Sequence, residues 1–195
     1  MLLACWQALH QEAASGVDNV TAEAYRAKLH ANSEALVQRL QAPRYRAKLV
    51  CRCSIPKENG QGRPLGMPAL EDKLGQLACA KLVMAIYAQD VLDCRDGYRP
   101  GRGALDAVRD LTFDLQYRTY GSVGEVDVQG FFDHLDHTWL EDRLRGRLDA
   151  RAFLRLIRQW LKAGSLDTEG HVTHPETGTP QGGTVSPVLA NAYWH

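Results

Sequence analysis

Gly121-Ser-Val-Gly-Glu-Val-Asp-Val-Gln-Gly130-Phe131-Phe132-Asp133-His134-Leu135-Asp136-His137 is the stretch on which the fold turns. Its first half is short, valine-rich and bounded by glycines, so it predicts a β-strand. Period two then puts Val126 and Val128 on one face and Glu125 with Asp127 on the other. An apolar face would pack down while a carboxylate is presented upward. Asp136 predicts the N-cap of a helix running through Leu140 and Leu144.

Downstream, Asp149 to Ala163 predicts a helix that buries Phe153, Leu154, Ile157, Trp160 and Leu161 and lines Arg151, Arg155, Arg158 and Lys162 along the opposite side. Gly164 ends it. Polar strand-like residues lead to the glycine-rich turn Gly178-Thr-Pro-Gln-Gly-Gly183. Ser186 as N-cap and Pro187 at N1 then open a last helix. That helix stops at His195 without a C-cap glycine or a basic last turn, which reads as a fragment.

Upstream, the loop Tyr98-Arg99-Pro100-Gly101-Arg102-Gly103 precedes a helix from Ala104 to about Tyr117. Before it comes a long helix from about Leu70 to Leu92, with Leu74, Leu77, Lys81 and Met84 at threes and fours. Lys48 to Ile55, the turn Glu58-Asn59-Gly60-Gln61-Gly62 and Arg63 to Met67 predict a β-hairpin with Lys57 and Arg63 flanking its tip. The first forty residues read as short helices: a stretch to Ala14, one from about Thr21, and one carrying Leu36, Val37 and Leu40.

The 195 residues are 45% hydrophobic, 24% charged and 8% aromatic, a globular composition that excludes disordered, collagen-like and membrane-spanning chains. Five cysteines, among them the pair Cys51 and Cys53, make neither a disulfide framework nor a C-x-x-C zinc pair. A reducing cytoplasm is expected. No basic n-region, signal segment or long apolar run is present, so no membrane partner is expected. Twenty-three basic residues balance 23 acidic ones, but the distribution is uneven. Segments 39–63 and 143–162 each hold seven basic residues against one acid, Glu58 and Asp149 respectively. That segregation makes either two solvated faces or an anion-binding surface.

Taken one at a time, the chemical motifs are weak. A lone strand aspartate is usually a surface residue, a glycine-rich turn is usually a turn, and phenylalanines are usually core. Asp133, His134, Asp136 and His137 invite a metal reading, but Asp136 is better explained as a helix cap. Together, a strand-borne Asp127, a basic hairpin and a Gly-rich turn are the parts needed to hold Mg²⁺, a triphosphate and a sugar.

In their order along the chain these motifs resemble those of group II intron-type reverse transcriptases, the intron-encoded proteins that also act as maturases. The matching blocks are Gly16-Val-Asp18 with Thr21 and Tyr25, Ile55-Pro-Lys57, Arg63-Pro-Leu-Gly-Met-Pro68, Asp72-Lys73 and Gln76. They continue with Gly97-Tyr-Arg-Pro-Gly-Arg102, Val126 to His137, Ala163-Gly164, Gly178 to Gly183, Ser186-Pro187 and Leu189-Ala-Asn191. The resemblance implies an α+β fold, a reverse-transcriptase fingers region and partial palm of a truncated right-hand polymerase: residues 1–44 as an N-terminal helical fingers segment, and 45–195 as an incomplete reverse transcriptase domain. It implies Mg²⁺-dependent transfer from a deoxynucleoside triphosphate to a primer 3′-hydroxyl, with an RNA template and DNA primer as partners and group II intron RNA as a further one.

Residue by residue, the resemblance makes Asp127 the first metal-binding and catalytic aspartate, with the Val128 carbonyl as a further ligand. Phe132 would lie under the incoming sugar. Lys57 and Arg63 would grip the triphosphate, one as a point charge and one as a planar fork, and Gln181 would contact the nucleotide. Arg99 and Arg102 lie in a segment that touches template backbone or maintains the fold. The pattern makes Asp133, Asp136 and His137 architectural.

The family's Tyr-x-Asp-Asp hairpin, which carries further metal-binding carboxylates, is not among these residues. Activity is therefore expected from the complete protein and not from this chain alone, unless a second chain completes the palm. A non-catalytic RNA-binding module derived from a maturase, or a truncated remnant, is the competing expectation. Gly75 inside a helix, Gly103 and Leu105 after the Pro-Gly-Arg, and the neutral net charge are departures from the family pattern.

Overall fold

The structure, a computed structural model, describes residues 1–42, 45–56, 62–89, 92, 94–180 and 182–194, with backbone alone at residue 63. Three short helices come first: α1 (Leu2–Ala8), α2 (Ala22–Arg26) and α3 (Leu29–Gln41). Thr21 caps α2 by accepting from the Ala24 amide at 3.2 Å. Trp6 stacks on Tyr25 at 5.5 Å between centroids. These helices rest on α4 (Leu70–Tyr87), where Cys5, Trp6, Tyr25 and Leu36 meet Leu70, Leu74 and Ala78 in one buried cluster.

The other half of α4 forms the wall of a second core. Cys79, Ala80, Val83 and Tyr87 pack there against α6 (His137–Arg145), α7 (Arg151–Leu161) and α8 (Ser186–Tyr193). Helix α4 ends at Tyr87 and not near Leu92, because past Tyr87 there is no core to face: Ala88, Gln89 and Leu92 are exposed. The expected arginine-bearing helix is α7, two residues shorter at each end than its sequence pattern. Leu154, Ile157, Trp160 and Leu161 are buried along its apolar side.

The expected hairpin is β1 (Val50–Pro56) with β2 (Gly62–Met67), antiparallel, its register running from Cys51 opposite Met67 to Pro56 opposite Gly62. Two-residue strands β3 (Ser165–Leu166) and β4 (Val172–Thr173) extend the sheet in the order β2-β1-β3-β4, with β3 parallel to β1. Gly164 starts that pairing by accepting from the Val50 amide at 2.8 Å.

A buried polar knot ties the sheet to the helices. Asp72, 4% exposed, accepts from the Tyr45 hydroxyl, from the Lys48 amide at 3.0 Å and from Trp160 Nε1 at 3.3 Å. It thereby joins the chain entering β1 to both α4 and α7. Burial pushes the Asp72 carboxyl above its ordinary range, against the lowering effect of those donors.

Two further features differ from the pattern of the sequence. Residues 121–128 form no strand: Val126 is 91% exposed and Val128 46%. A strand needs a neighbour for its amides and carbonyls, and no described segment pairs with this one. The preceding helix α5 (Ala104–Tyr117) shares that isolation, for it has no buried residue. Ser186 is also not the N-cap of α8. Val185 occupies that position, and the Ser186 hydroxyl turns back to the Pro180 carbonyl at 3.0 Å and to Thr179 Oγ1 at 2.7 Å.

Candidate active site

Gly130 ends the extended run in the left-handed region, φ +62°, and turns the chain into a single 3₁₀ turn, Phe131–Asp133. The two phenylalanines then diverge in surroundings. Phe131 stacks on Trp194 at 5.5 Å and meets Tyr193 edge-on, packing against the end of α8. Phe132 is half-buried and contacts Phe131 edge-on. Leu135 is fully buried, and Asp136 caps α6 by accepting from the Trp139 amide at 2.8 Å, as its position predicts.

The glycine-rich turn is bonded directly onto this block. Thr179 donates its amide to the Phe132 carbonyl at 2.7 Å, and Gly178 donates to that of Leu135 at 2.7 Å. In return His137 Nε2 reaches the Gly178 carbonyl at 2.6 Å. Gly178 has φ +82°, and a Cβ there would stand 2.6 Å from the Asp133 carbonyl oxygen. Only glycine permits so close an approach in that conformation.

On its other side the turn abuts the hairpin. A Cβ on Gly182, φ +102°, would lie 2.5 Å from the Gly66 carbonyl oxygen. The Gln76 side chain, buried on α4, accepts from the Thr184 amide at 3.0 Å and anchors the turn from below. Block 131–137, turn 178–183, hairpin and α4 are thus one unit. A cavity of about 240 Å³ lies between the hairpin, the glycine-rich turn, Asp133 and the β3–β4 strands, bordered by Arg52, Gly66, Asp133, His174, Gly178 and Pro180.

Phe132 and both flanks of residue 181 therefore lie in this unit. Lys57 and Gln181 themselves fall outside the described residues, as does the side chain of Arg63, whose backbone stands in β2 opposite Ile55. Asp127 and Val128 lie on the exposed extended run, and Asp127 makes no hydrogen bond or ion pair among the described residues. Arg99 donates to the Leu92 carbonyl at 3.4 Å. Arg102 is held between Asp96 at 3.2 Å and Asp110 at 3.0 Å, an arrangement that raises its already high pKa. These contacts maintain the loop entering α5.

The Asp127 carboxylate and the Val128 carbonyl are hard oxygen donors of the kind Mg²⁺ takes. Among the described residues, however, no group of three converging ligands includes Asp127. Asp127 and Val128 would supply only part of such a site among the described residues. Three converging groups do occur on the β3–β4 turn, where Asp167, Glu169 and His171 are hydrogen-bonded or ion-paired to one another.

Asp72 and Gln76 stand in the blocks that carry the family resemblance, but their part as anchors is not legible there, because their partners lie up to 88 and 108 residues away.

Residues 55–195 match the model of the family described as "Reverse transcriptase (RNA-dependent DNA polymerase)". Protein YkfC of Escherichia coli K12 is 34% identical over 181 residues, 90% of this chain and 47% of that protein. The group II intron-encoded protein LtrA of Lactococcus lactis is 35% identical over 165 residues, covering 82% of this chain and 26% of LtrA. Among solved structures, a partial Cas6-RT-Cas1–Cas2 complex superposes with a TM-score of 0.60 over 99% of this chain and 32% of that one, at 22% identity, a likeness of fold. The chain spans about half or less of the length of these relatives. By the family match and these identities, the chain belongs to the reverse transcriptase family and is related to group II intron-encoded proteins.

Proposed function

We propose that this chain supplies the fingers and the first part of the palm of an Mg²⁺-dependent RNA-directed DNA polymerase. Residues 1–44 are the helical fingers segment, and 45–195 the partial polymerase domain. The observation that carries the reading is the joining of the Phe132 block, the glycine-rich turn and hairpin β1–β2 into one cleft, through Gly178 on one side and Gly182 on the other. In this reading the deoxynucleotide sits in that cleft. Phe132 underlies the sugar, the turn around Gln181 approaches the nucleotide backbone-first, and Lys57 and Arg63 hold the triphosphate. Asp127 and the Val128 carbonyl contribute to Mg²⁺ binding, which supplies charge neutralisation at the phosphates when the ion is bound. Further carboxylates come from a segment completing the palm.

The exposure of residues 121–128 supports the same division of labour, since a run that presents Val126 and Val128 to water and pairs with no described segment is one that a neighbouring strand would cover. Primer extension on poly(rA)/oligo(dT) tests the proposal. The 195-residue chain alone is expected to give no product. Fused to the remaining palm of a relative, it is expected to give Mg²⁺-dependent product that Asp127→Ala removes. Product that survives Asp127→Ala would sink the assignment of that residue, and product from the chain alone would sink its incompleteness.

A further inference from the structure

The two basic segments of the sequence, 39–63 and 143–162, meet in the fold. Arg155 on α7 donates through Nη2 to the Ala42 carbonyl at 3.5 Å, which sets this helix beside the connection from α3 to β1. Burial of its apolar side in the second core forces the arginines of α7 outward. Where α7 faces the end of α6, a concavity of about 500 Å³ is lined by Arg145, Arg151, Arg155 and Arg158 with Glu141 and Asp149. Glu141 accepts from Arg145 at 2.6 Å and also from Arg158, so two guanidinium groups are held in place on one wall. Arg151 has no hydrogen-bond or ion-pair partner among the described residues, and Arg155 has only the Ala42 carbonyl.

Four guanidinium groups against the two lining carboxylates and Asp142, which lies 3.7 Å from Arg145, leave an excess of positive charge in a concave surface, centred on Arg151 and Arg155. Their planar donors match phosphate oxygens. Arg151 and Arg155 stand one helical turn apart, roughly 6 Å, so a single strand can engage both. We infer that this groove docks the phosphate backbone of RNA, using residues none of which belongs to the candidate active site. The inference rests on the reading of the chain as part of an RNA-directed polymerase, which places RNA beside it.

Fluorescence anisotropy of the 195-residue chain with a labelled single-stranded RNA, with no primer present, tests this across a salt series. Arg151→Glu/Arg155→Glu is expected to weaken binding at least tenfold. The slope of log affinity on log salt should fall by about 1.4, two contacts at about 0.7 each on a single strand. Arg151→Lys/Arg155→Lys should keep most of that slope. Arg151→Gln/Arg155→Gln removes charge without reversing it and should show the same loss to a smaller degree, with an unchanged circular dichroism spectrum.

Unaltered binding by both the Glu and the Gln pairs overturns the inference. Equal competition by DNA of the same sequence overturns RNA as the specific occupant, and equal competition by poly-glutamate overturns a nucleic-acid partner in favour of an acidic protein. Failure of the polymerase reading is seen separately. It appears as absence of Asp127-dependent extension in the palm-completed fusion, whether or not the arginine pair governs RNA binding.

Discussion

His137 Nε2 lies 2.6 Å from the carbonyl oxygen of Gly178, and this contact spans forty-one residues to tie the first turn of α6 to the glycine-rich turn. Because a carbonyl only accepts, the ring must carry its proton on Nε2. The bond is partly buried and acts together with the amides of Gly178 and Thr179, so one loop is held at three points. His137→Ala is expected to cost about 1 kcal/mol, the net worth of one such bond. In the palm-completed protein it should raise KM for the deoxynucleotide more than it lowers kcat, since it positions the turn without touching reacting atoms. Urea denaturation and steady-state extension kinetics check the two halves of this prediction.

Gly178→Ala should be far more damaging than Gly101→Ala, although both glycines have positive φ. At Gly101 a Cβ meets nothing within 4 Å, so only the backbone preference is lost, about 1 kcal/mol. At Gly178 it meets the Asp133 and Phe132 carbonyl oxygens, which are backbone and cannot swing away. A cost of about 3 kcal/mol or more is expected there. Thermal melts of the two variants side by side measure the difference.

Gly75→Ala reverses the usual expectation for an exposed helix interior, where alanine would gain about 1 kcal/mol. Its Cβ would lie 3.1 Å from Trp160 Cζ2, and Trp160 is pinned by its Nε1 bonds to Asp72 and Tyr45. A net loss of about 1 kcal/mol is expected, and Gly75→Val should be worse still. Chemical denaturation of the three proteins gives the order.

The pH dependence of stability should carry the mark of Asp72. Its folded pKa is raised by burial, so the protonated carboxyl is the form the fold favours. That contribution is complete below the ordinary carboxylate pKa of about 3.9 and is lost as pH rises through the raised folded value. Asp72→Asn removes the titration. The stability of the parent relative to this variant should therefore decline as pH is raised from about 4 towards neutrality. A flat difference across that range in urea titrations would refute the direction.

Much of the local structure is legible in the sequence because it is decided by neighbours a few residues apart. The hairpin follows from the two strand-like runs on either side of residues 57–61, which themselves lie outside the described residues, the cap at Asp136 from one side-chain oxygen at a helix start, and the buried stripe of α7 from its period. The Ser186 cap failed for the opposite reason. Its hydroxyl has a competing acceptor in Pro180, which lies close only because the turn folds back. Residues 121–128 failed as a strand because alternation describes a face and not the partner a strand requires.

From the sequence alone came a chain of mixed helices and strands, the family and the identity of the chemical groups, since collinear motifs record residue types in order. What only the tertiary structure decided is which of those groups meet. It bonds the glycine-rich turn to the Phe132 block and sets it against β2, buries Asp72 beneath Tyr45 and Trp160, and gathers the arginines of α7 over a groove. Such contacts join positions many residues apart. They are settled by packing around α4, which serves as the wall of two cores at once, and no local pattern in the chain encodes that shared position.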